Sequence, residues 1–220
     1  MDALERNDGV INETEINTIG RRNFLSKTLG CAAGLTLLAY TGMSRDAFGA
    51  DGQKSKEEIA KELEEKVIKY MKKYGTCSQS SFCALNEQFD LKGDDAVPGL
   101  KPFAGGIAGR GETCGAVTGS ILALGLFFES QTPKENIKSL SSINYAGEFF
   151  DKFSNEFGST RCSAVVEHQY GRKYDFQNPD DMKLFMEAAK TGKCMEVVKN
   201  AVLCAADIIA ENSKSADKKN

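Results

Sequence analysis

The chain has one histidine, His168, and no tryptophan. The histidine shortage excludes more. A metal site built from several imidazoles is impossible, and so is haem attachment through a Cys-x-x-Cys-His segment. Positive charge is not in excess either. Lys and Arg number 28 against 31 Asp and Glu, for a net charge of −3, so there is no electrostatic footprint for nucleic acid. Strand signals are also missing: no sustained alternation of apolar and polar residues, and no Asn-Gly turn between β-rich runs. The apolar stretch at residues 29–40 is softened by Gly30, Thr36 and several alanines. It is too short for a membrane span.

What remains has the composition of a soluble globular protein, 41% hydrophobic and 27% charged over 220 residues. That length fits one domain and an appendage. Residues 1–50 read as the appendage, an export signal of the twin-arginine type. Arg21-Arg22-Asn23-Phe24-Leu25-Ser26-Lys27 matches that pattern, the apolar stretch follows, and Ala47-Phe48-Gly49-Ala50 offers small residues for a peptidase. Leu29-Gly30-Cys31 faintly resembles a lipoprotein cleavage box, but Cys31 precedes most of the apolar stretch instead of following it. Residues 51–212 are expected to form the domain, and 213–220 a charged, disordered tail.

The domain is expected to be all-α, a single bundle of six to seven helices around a buried central helix. The first helix spans residues 54–74, with Ile59, Leu63, Val67, Met71 and Tyr74 in one stripe and Gly75 as its stop. Thr76 is placed to cap a second helix running to about Phe89. A polar connection follows, then a glycine-rich segment at 103–111. The third helix, 114–129, is apolar nearly all round and is the expected centre, with Gly115, Ala116, Gly119, Ala123 and Gly125 allowing close neighbours. Thr132-Pro133-Lys134-Glu135 has the form of a capping box with Pro at the first helical position. The helix it starts is expected to run to about Phe157 and to offer Ile137, Leu140, Phe149, Phe150, Phe153 and Phe157 to the core. Shorter helices are expected at 161–170 and from Asn178 to near Lys190, and a last one at about 193–212.

Seven cysteines are present. Cys77, Cys114, Cys162 and Cys194 each sit just after Gly, Ser or Thr, where a helix begins. Helix starts carry unpaired N–H groups and a positive dipole end, which favour thiolate over thiol. Four such positions in one small domain point to thiolates meeting at one place. They would form a ligand set for a metal or cluster, or a set of reactive thiols. Exported chains with six remaining cysteines normally form disulfides. A 170-residue helical domain needs no such staples, however, and the twin-arginine route carries folded proteins, often with a cofactor already inserted. Cys83 and Cys204 fall inside helices and read as core filler.

Gly105-Gly106-Ile107-Ala108-Gly109-Arg110-Gly111 follows no strand and lacks the Lys-Ser/Thr ending of a phosphate loop. Its glycines are expected to allow close backbone approach and to present N–H groups to sulfur. Arg110 is placed to offset thiolate charge, and Glu112 to pair with Arg110. His168, between Glu167 and Gln169, reads as a surface residue.

Three stretches carry a family resemblance: Cys77-Ser78-Gln79-Ser80-Ser81-Phe82, Phe103-Ala104-Gly105-Gly106-Ile107 and Gly111-Glu112-Thr113-Cys114-Gly115-Ala116-Val117-Thr118-Gly119. With single Cys162 and Cys194 after them, the chain resembles the redox-active family named for the pattern C…GCAxxG…C…C. It departs from that name by having Thr113-Cys114-Gly115-Ala116 where the name has Gly-Cys-Ala. The domain is also similar to the non-haem part of split-Soret cytochromes c, which are dimeric periplasmic electron carriers. That resemblance implies a small iron–sulfur centre such as [2Fe–2S], ligated by Cys77, Cys114, Cys162 and Cys194, with Cys83 or Cys204 as substitutes for one of them. It does not imply haem. It implies a redox partner protein such as a periplasmic cytochrome, and it leaves a homodimer open. The expectation is thus an exported electron-transfer protein. A thiol/disulfide redox protein using the same cysteines and a zinc-stabilised non-catalytic module are the alternatives; whether the chain is an enzyme stays open.

Overall fold

A computed structural model describes residues 55–129 and 140–216, with side chains through 213. These residues lie in the compact unit Cys31–Asn220. The expected export signal, Thr132–Glu135, Ile137 and the last residues of the expected tail lie outside the described residues.

The all-α expectation holds. Among the described residues, the only strand-like feature is an isolated bridge between Thr113 and Arg161. The described residues form seven α-helices in succession: α1 (Lys56–Tyr74), α2 (Cys77–Phe89), α3 (Gly115–Phe128), α4 (Ser141–Phe157), α5 (Cys162–Tyr170), α6 (Pro179–Ala189) and α7 (Lys193–Ala216). Two short 3-10 helices, Asp94–Ala96 and Pro98–Phe103, lie between α2 and α3. No described helix is long and apolar enough to cross a membrane.

Each end has a local cause. Ser55 caps α1 by accepting the Glu58 N–H, and Glu58 returns the bond to the Ser55 N–H. Gly75, Gly158 and Gly171 stop α1, α4 and α5 in the left-handed conformation. Asn178 accepts the N–H groups of Asp180 and Asp181 at the start of α6. Thr76 precedes α2 as expected but makes no side-chain cap; its hydroxyl donates to Gln79 Oε1 instead, at 2.8 Å. The helix expected to run unbroken from Thr132 to Phe157 does not do so. Leu140 lies outside the helix, and α4 starts at Ser141, where the Ser142 N–H is taken by Glu129 Oε1 at 2.8 Å. Leu140, expected in the core, is 59% exposed, and Phe150 is also exposed. α7 continues past the expected Asn212 to Ala216.

The core is built from α1, α2, α3, α4 and α7. Leu63 and Val67 of α1, Phe82 and Leu85 of α2, and Val117 and Leu124 of α3 are fully buried, as are Val198, Val202 and Ile208 of α7. Phe149, Phe153 and Phe157 form the inner stripe of α4 at helical spacing. Burying each ring contributes roughly 2–3 kcal/mol.

α2 is buried from Ser78 to Asn86 even though that stretch is largely polar. Its polar groups are satisfied by the segment after it. Ser78 Oγ donates to the Leu100 carbonyl at 2.8 Å, Gln79 Nε2 to the Val97 carbonyl at 3.0 Å, and Asn86 takes the Gly93 N–H at 2.8 Å. The polar connection expected at 90–101 is therefore clamped onto α2, with Val97 and Leu100 buried. α3 lies directly against α2 at Gly119. A Cβ there would stand 2.2 Å from the Ser78 carbonyl oxygen and from Ser81 Oγ. Gly125, expected to serve the same purpose, has nothing within 4 Å of its Cβ position.

Candidate functional site

All four predicted cysteines stand at helix starts. Cys77 opens α2, Cys162 opens α5, Cys114 immediately precedes α3, and Cys194 is the second residue of α7. Backbone pairing brings the middle two together. Thr113 and Arg161 form the isolated antiparallel bridge. Beside it, the Cys114 N–H donates to the Thr160 carbonyl at 2.8 Å and the Cys162 N–H to the Glu112 carbonyl at 2.6 Å. Cys77 joins through the contact between α2 and α3: a Cβ on Gly115 would stand 3.2 Å from Cys77 Cβ and 2.9 Å from the Ser78 nitrogen.

The glycine-rich segment covers the pair. Gly106 (φ +67°) is packed so tightly that a Cβ on it would stand 2.6 Å from Cys162 Cβ. Gly111 (φ +70°) receives both the N–H and the hydroxyl of Ser163 on its carbonyl, each at 3.0 Å. Close approach was expected of these glycines; N–H donation to sulfur was expected too, and here the structure differs. The N–H groups of residues 107–112 are spent on the carbonyls of Phe103, Pro102, Ala104, Ile107, Gly105 and Gly106. The donors that reach a site sulfur come instead from the Tyr170 hydroxyl, onto Cys194, and from the first turn of α3, onto Cys114, where the Val117 N–H also meets the Cys114 carbonyl at 3.0 Å.

The four thiols act on one another electrically. Cys114 is held below the ordinary cysteine value, chiefly by a hydrogen bond from Cys162; burial opposes this, and the Ala116 and Val117 N–H groups add to it. Cys162 is driven well above the ordinary value by its bond to Cys114, then by burial and by the charges of Cys114, Cys77 and Cys194. Burial first, then Cys114 and Cys194, raises Cys77. Burial also raises Cys194, against a bond from the Tyr170 hydroxyl, with Cys114 adding to the rise. Of the four, Cys114 is the one whose ionisation the surroundings favour, with the neighbouring Cys162 as the main cause.

No Lys or Arg is among the groups that perturb these four sulfurs. Arg110 is exposed and plays no such part, and Glu112 pairs with Arg161 at 3.2 Å instead of with Arg110. The bridge between residues 113 and 161 sets that pairing, because it carries the two side chains to the same edge. His168 is exposed on α5, as expected. Cys83 and Cys204 are buried within the apolar core. Tyr170 was not foreseen at the site. It lies 24 residues from its partner, Cys194, and no local pattern marks it.

The donor set suits a soft, thiophilic centre: four sulfurs, no imidazole and no carboxylate among the groups acting on them. Among the described residues, no three His, Cys, Asp or Glu side chains are arranged to hold a metal ion directly. What is present is a cluster of interacting thiols, in which Cys114 and Cys162 act most strongly on each other.

The described residues thus form an all-α domain with four cysteines at four helix starts. The family pattern described as "Putative redox-active protein (C_GCAxxG_C_C)" matches residues 75–208, and the chain belongs to that family. It is also 29% identical over 154 residues to an uncharacterized protein of Archaeoglobus fulgidus, across 66% of this chain and 91% of that protein. No solved structure matches the chain.

Proposed function

We propose that the chain is an exported electron carrier whose Cys77, Cys114, Cys162 and Cys194 ligate an iron–sulfur centre. The supporting observation is the convergence of four thiols, Cys114 and Cys162 buried and Cys77 and Cys194 half-buried, with no protein cation among the charges acting on them. Burial and the neighbouring thiols disfavour ionisation of Cys77, Cys162 and Cys194, and positive charge supplied at their centre would offset that. A bound metal centre supplies it, because coordination deprotonates a thiol. An iron–sulfur centre held by four cysteines carries one electron reversibly. The chain's own residues hold the sulfurs at helix starts and cover Cys162 with Gly106. Arg21-Arg22 and the following apolar stretch support delivery by the twin-arginine route, and similarity to the non-haem part of split-Soret cytochromes c supports a periplasmic redox partner.

Iron and acid-labile sulfide in full-length protein purified without oxygen test this reading. A brown protein containing both is expected. A colourless protein with zinc, or with six free thiols in the exported chain, overturns it.

One observation favours a second reading. Backbone pairing sets Cys114 and Cys162 side by side, and their interaction favours ionisation of the first over the second, as in a redox-active dithiol. Oxidation of such a thiolate–thiol pair would join the two sulfurs, releasing two electrons to an oxidant and the one remaining thiol proton to solvent. Mass spectrometry of an oxidised, colourless protein would locate that bond.

A further inference from the structure

Tyr170 is the last residue of α5, the helix that begins with Cys162. A helical aromatic side chain leans back toward the start of its own helix, and so toward the Cys162 end. Its hydroxyl meets Cys194 twice. It donates to Cys194 Sγ at 3.5 Å and accepts the Cys194 N–H at 3.2 Å. The second bond satisfies a donor that has no partner inside α7. Gly192, just ahead of α7, has no side chain to serve as a cap.

The ring itself is held from several sides. Tyr174 and Phe185 meet it edge-on, with centroids 6.3 and 6.0 Å away, and Lys193 Nζ stands 5.3 Å above it. Lys193 Nζ is in turn fixed on the Gln169 carbonyl at 2.6 Å. Phenol orientation is therefore set before any partner binds.

We propose that Tyr170 is a positioning residue of the redox site, fixing Cys194 Sγ and stabilising the more negative, reduced state by donating a hydrogen bond to that sulfur. The proposal rests on the reading that Cys194 belongs to the redox centre. Reduction adds electron density to the sulfurs of such a centre. A donor aimed at one of them is worth more in the reduced state than in the oxidised one. Tyr170 is thus a control on potential that does not itself ligate anything.

Tyr170→Phe removes the hydroxyl and keeps the ring. Two measurements on the full chain read the outcome. In protein carrying its centre, iron and sulfide content should stay at the wild-type level while the reduction potential falls. A tenfold shift of the equilibrium against a fixed mediator corresponds to about 59 mV for one electron. In metal-free protein, hydrogen exchange at the Cys194 amide should accelerate at least tenfold. The Glu196 amide, bonded to the Gly192 carbonyl at 3.1 Å, should keep its protection. Unchanged exchange at Cys194 overturns the contact. Faster exchange with an unchanged potential reduces Tyr170 to a helix cap and overturns the proposal. If wild-type protein holds no iron, the cluster reading fails separately. The same comparison is then made on the thiol/disulfide couple that includes Cys194; a couple without Cys194, or a potential unchanged in the variant, overturns the proposal.

Discussion

Cys83 and Cys162 are buried almost equally, at 5% and 8% exposure, yet they differ in every other respect. Cys83 lies in the seventh position of α2 and Cys162 in the first of α5. Cys83 sits among core side chains, and burial lifts its thiol to about 11. Cys162 is acted on by three other thiols, most strongly by Cys114. Cys204, at 4% exposure, repeats the Cys83 pattern on α7. Burial therefore does not distinguish a site cysteine from a core cysteine. Position does: a helix start leaves N–H groups unspent and brings the chain round to a neighbouring start, whereas a helix interior offers only packed side chains.

The comparison is broken most severely by changing a residue that is not a cysteine. Gly106→Val should cost several kcal/mol and displace Cys162. The new Cβ would stand 2.6 Å from Cys162 Cβ and 2.7 Å from the Glu112 backbone, on a left-handed φ. Denaturant unfolding and loss of the redox centre check this. Gly158→Ala, with nothing within 4 Å of its Cβ position, should cost only about 1 kcal/mol of left-handed strain and leave the centre intact.

Cys83→Ala sharpens the contrast from the core side. It should cost roughly 1–2 kcal/mol of stability near pH 7, through lost buried volume, without touching the centre. It should also change the pH dependence. A thiol raised from 9 to about 11 on folding keeps its proton in the folded state when the unfolded chain has lost it. Its contribution is full below pH 9 and is lost as pH rises through 11. The one-proton slope amounts to about 2–3 kcal/mol over that window. Metal-free wild type should therefore lose more stability between pH 9 and 11 than Cys83→Ala, by about that amount. Equal slopes would place the Cys83 thiol in water.

Arg161→Ala gives the smallest effect. The Arg161–Glu112 pair lies beside Cys162 in sequence, but its side chains are 62% and 54% exposed. Its removal should change stability by less than about 1 kcal/mol and leave the potential unmoved. A large shift in potential would mean that charge at the rim reaches the sulfurs.

The helix starts were legible because Gly, Ser or Thr precedes each site cysteine, and these are local signals. The inner stripe of α4 was legible from the spacing of Phe149, Phe153 and Phe157. What was not legible depends on distant chain. Leu140 lost its expected place because Glu129 caps the start of α4. Glu112 found Arg161, 49 residues away, because a backbone bridge carries both to one edge. The buried polar run Ser78–Ser81 gives no hint in sequence that the carbonyls of Val97 and Leu100 will satisfy Ser78 and Gln79. Tyr170 is hidden for the same reason, since α5 and α7 must both be in place before it meets Cys194.

The division between four site cysteines and two core cysteines is tested most directly by iron and acid-labile sulfide content across all six single variants, purified without oxygen. Ser at Cys77, Cys114, Cys162 or Cys194 should abolish or sharply reduce both, because a four-sulfur site does not close with three thiolates. Ala at Cys83 or Cys204 should leave both at the wild-type level. Wild-type content in two or more of the four Ser variants, or its loss in Cys83→Ala or Cys204→Ala, would contradict the assignment.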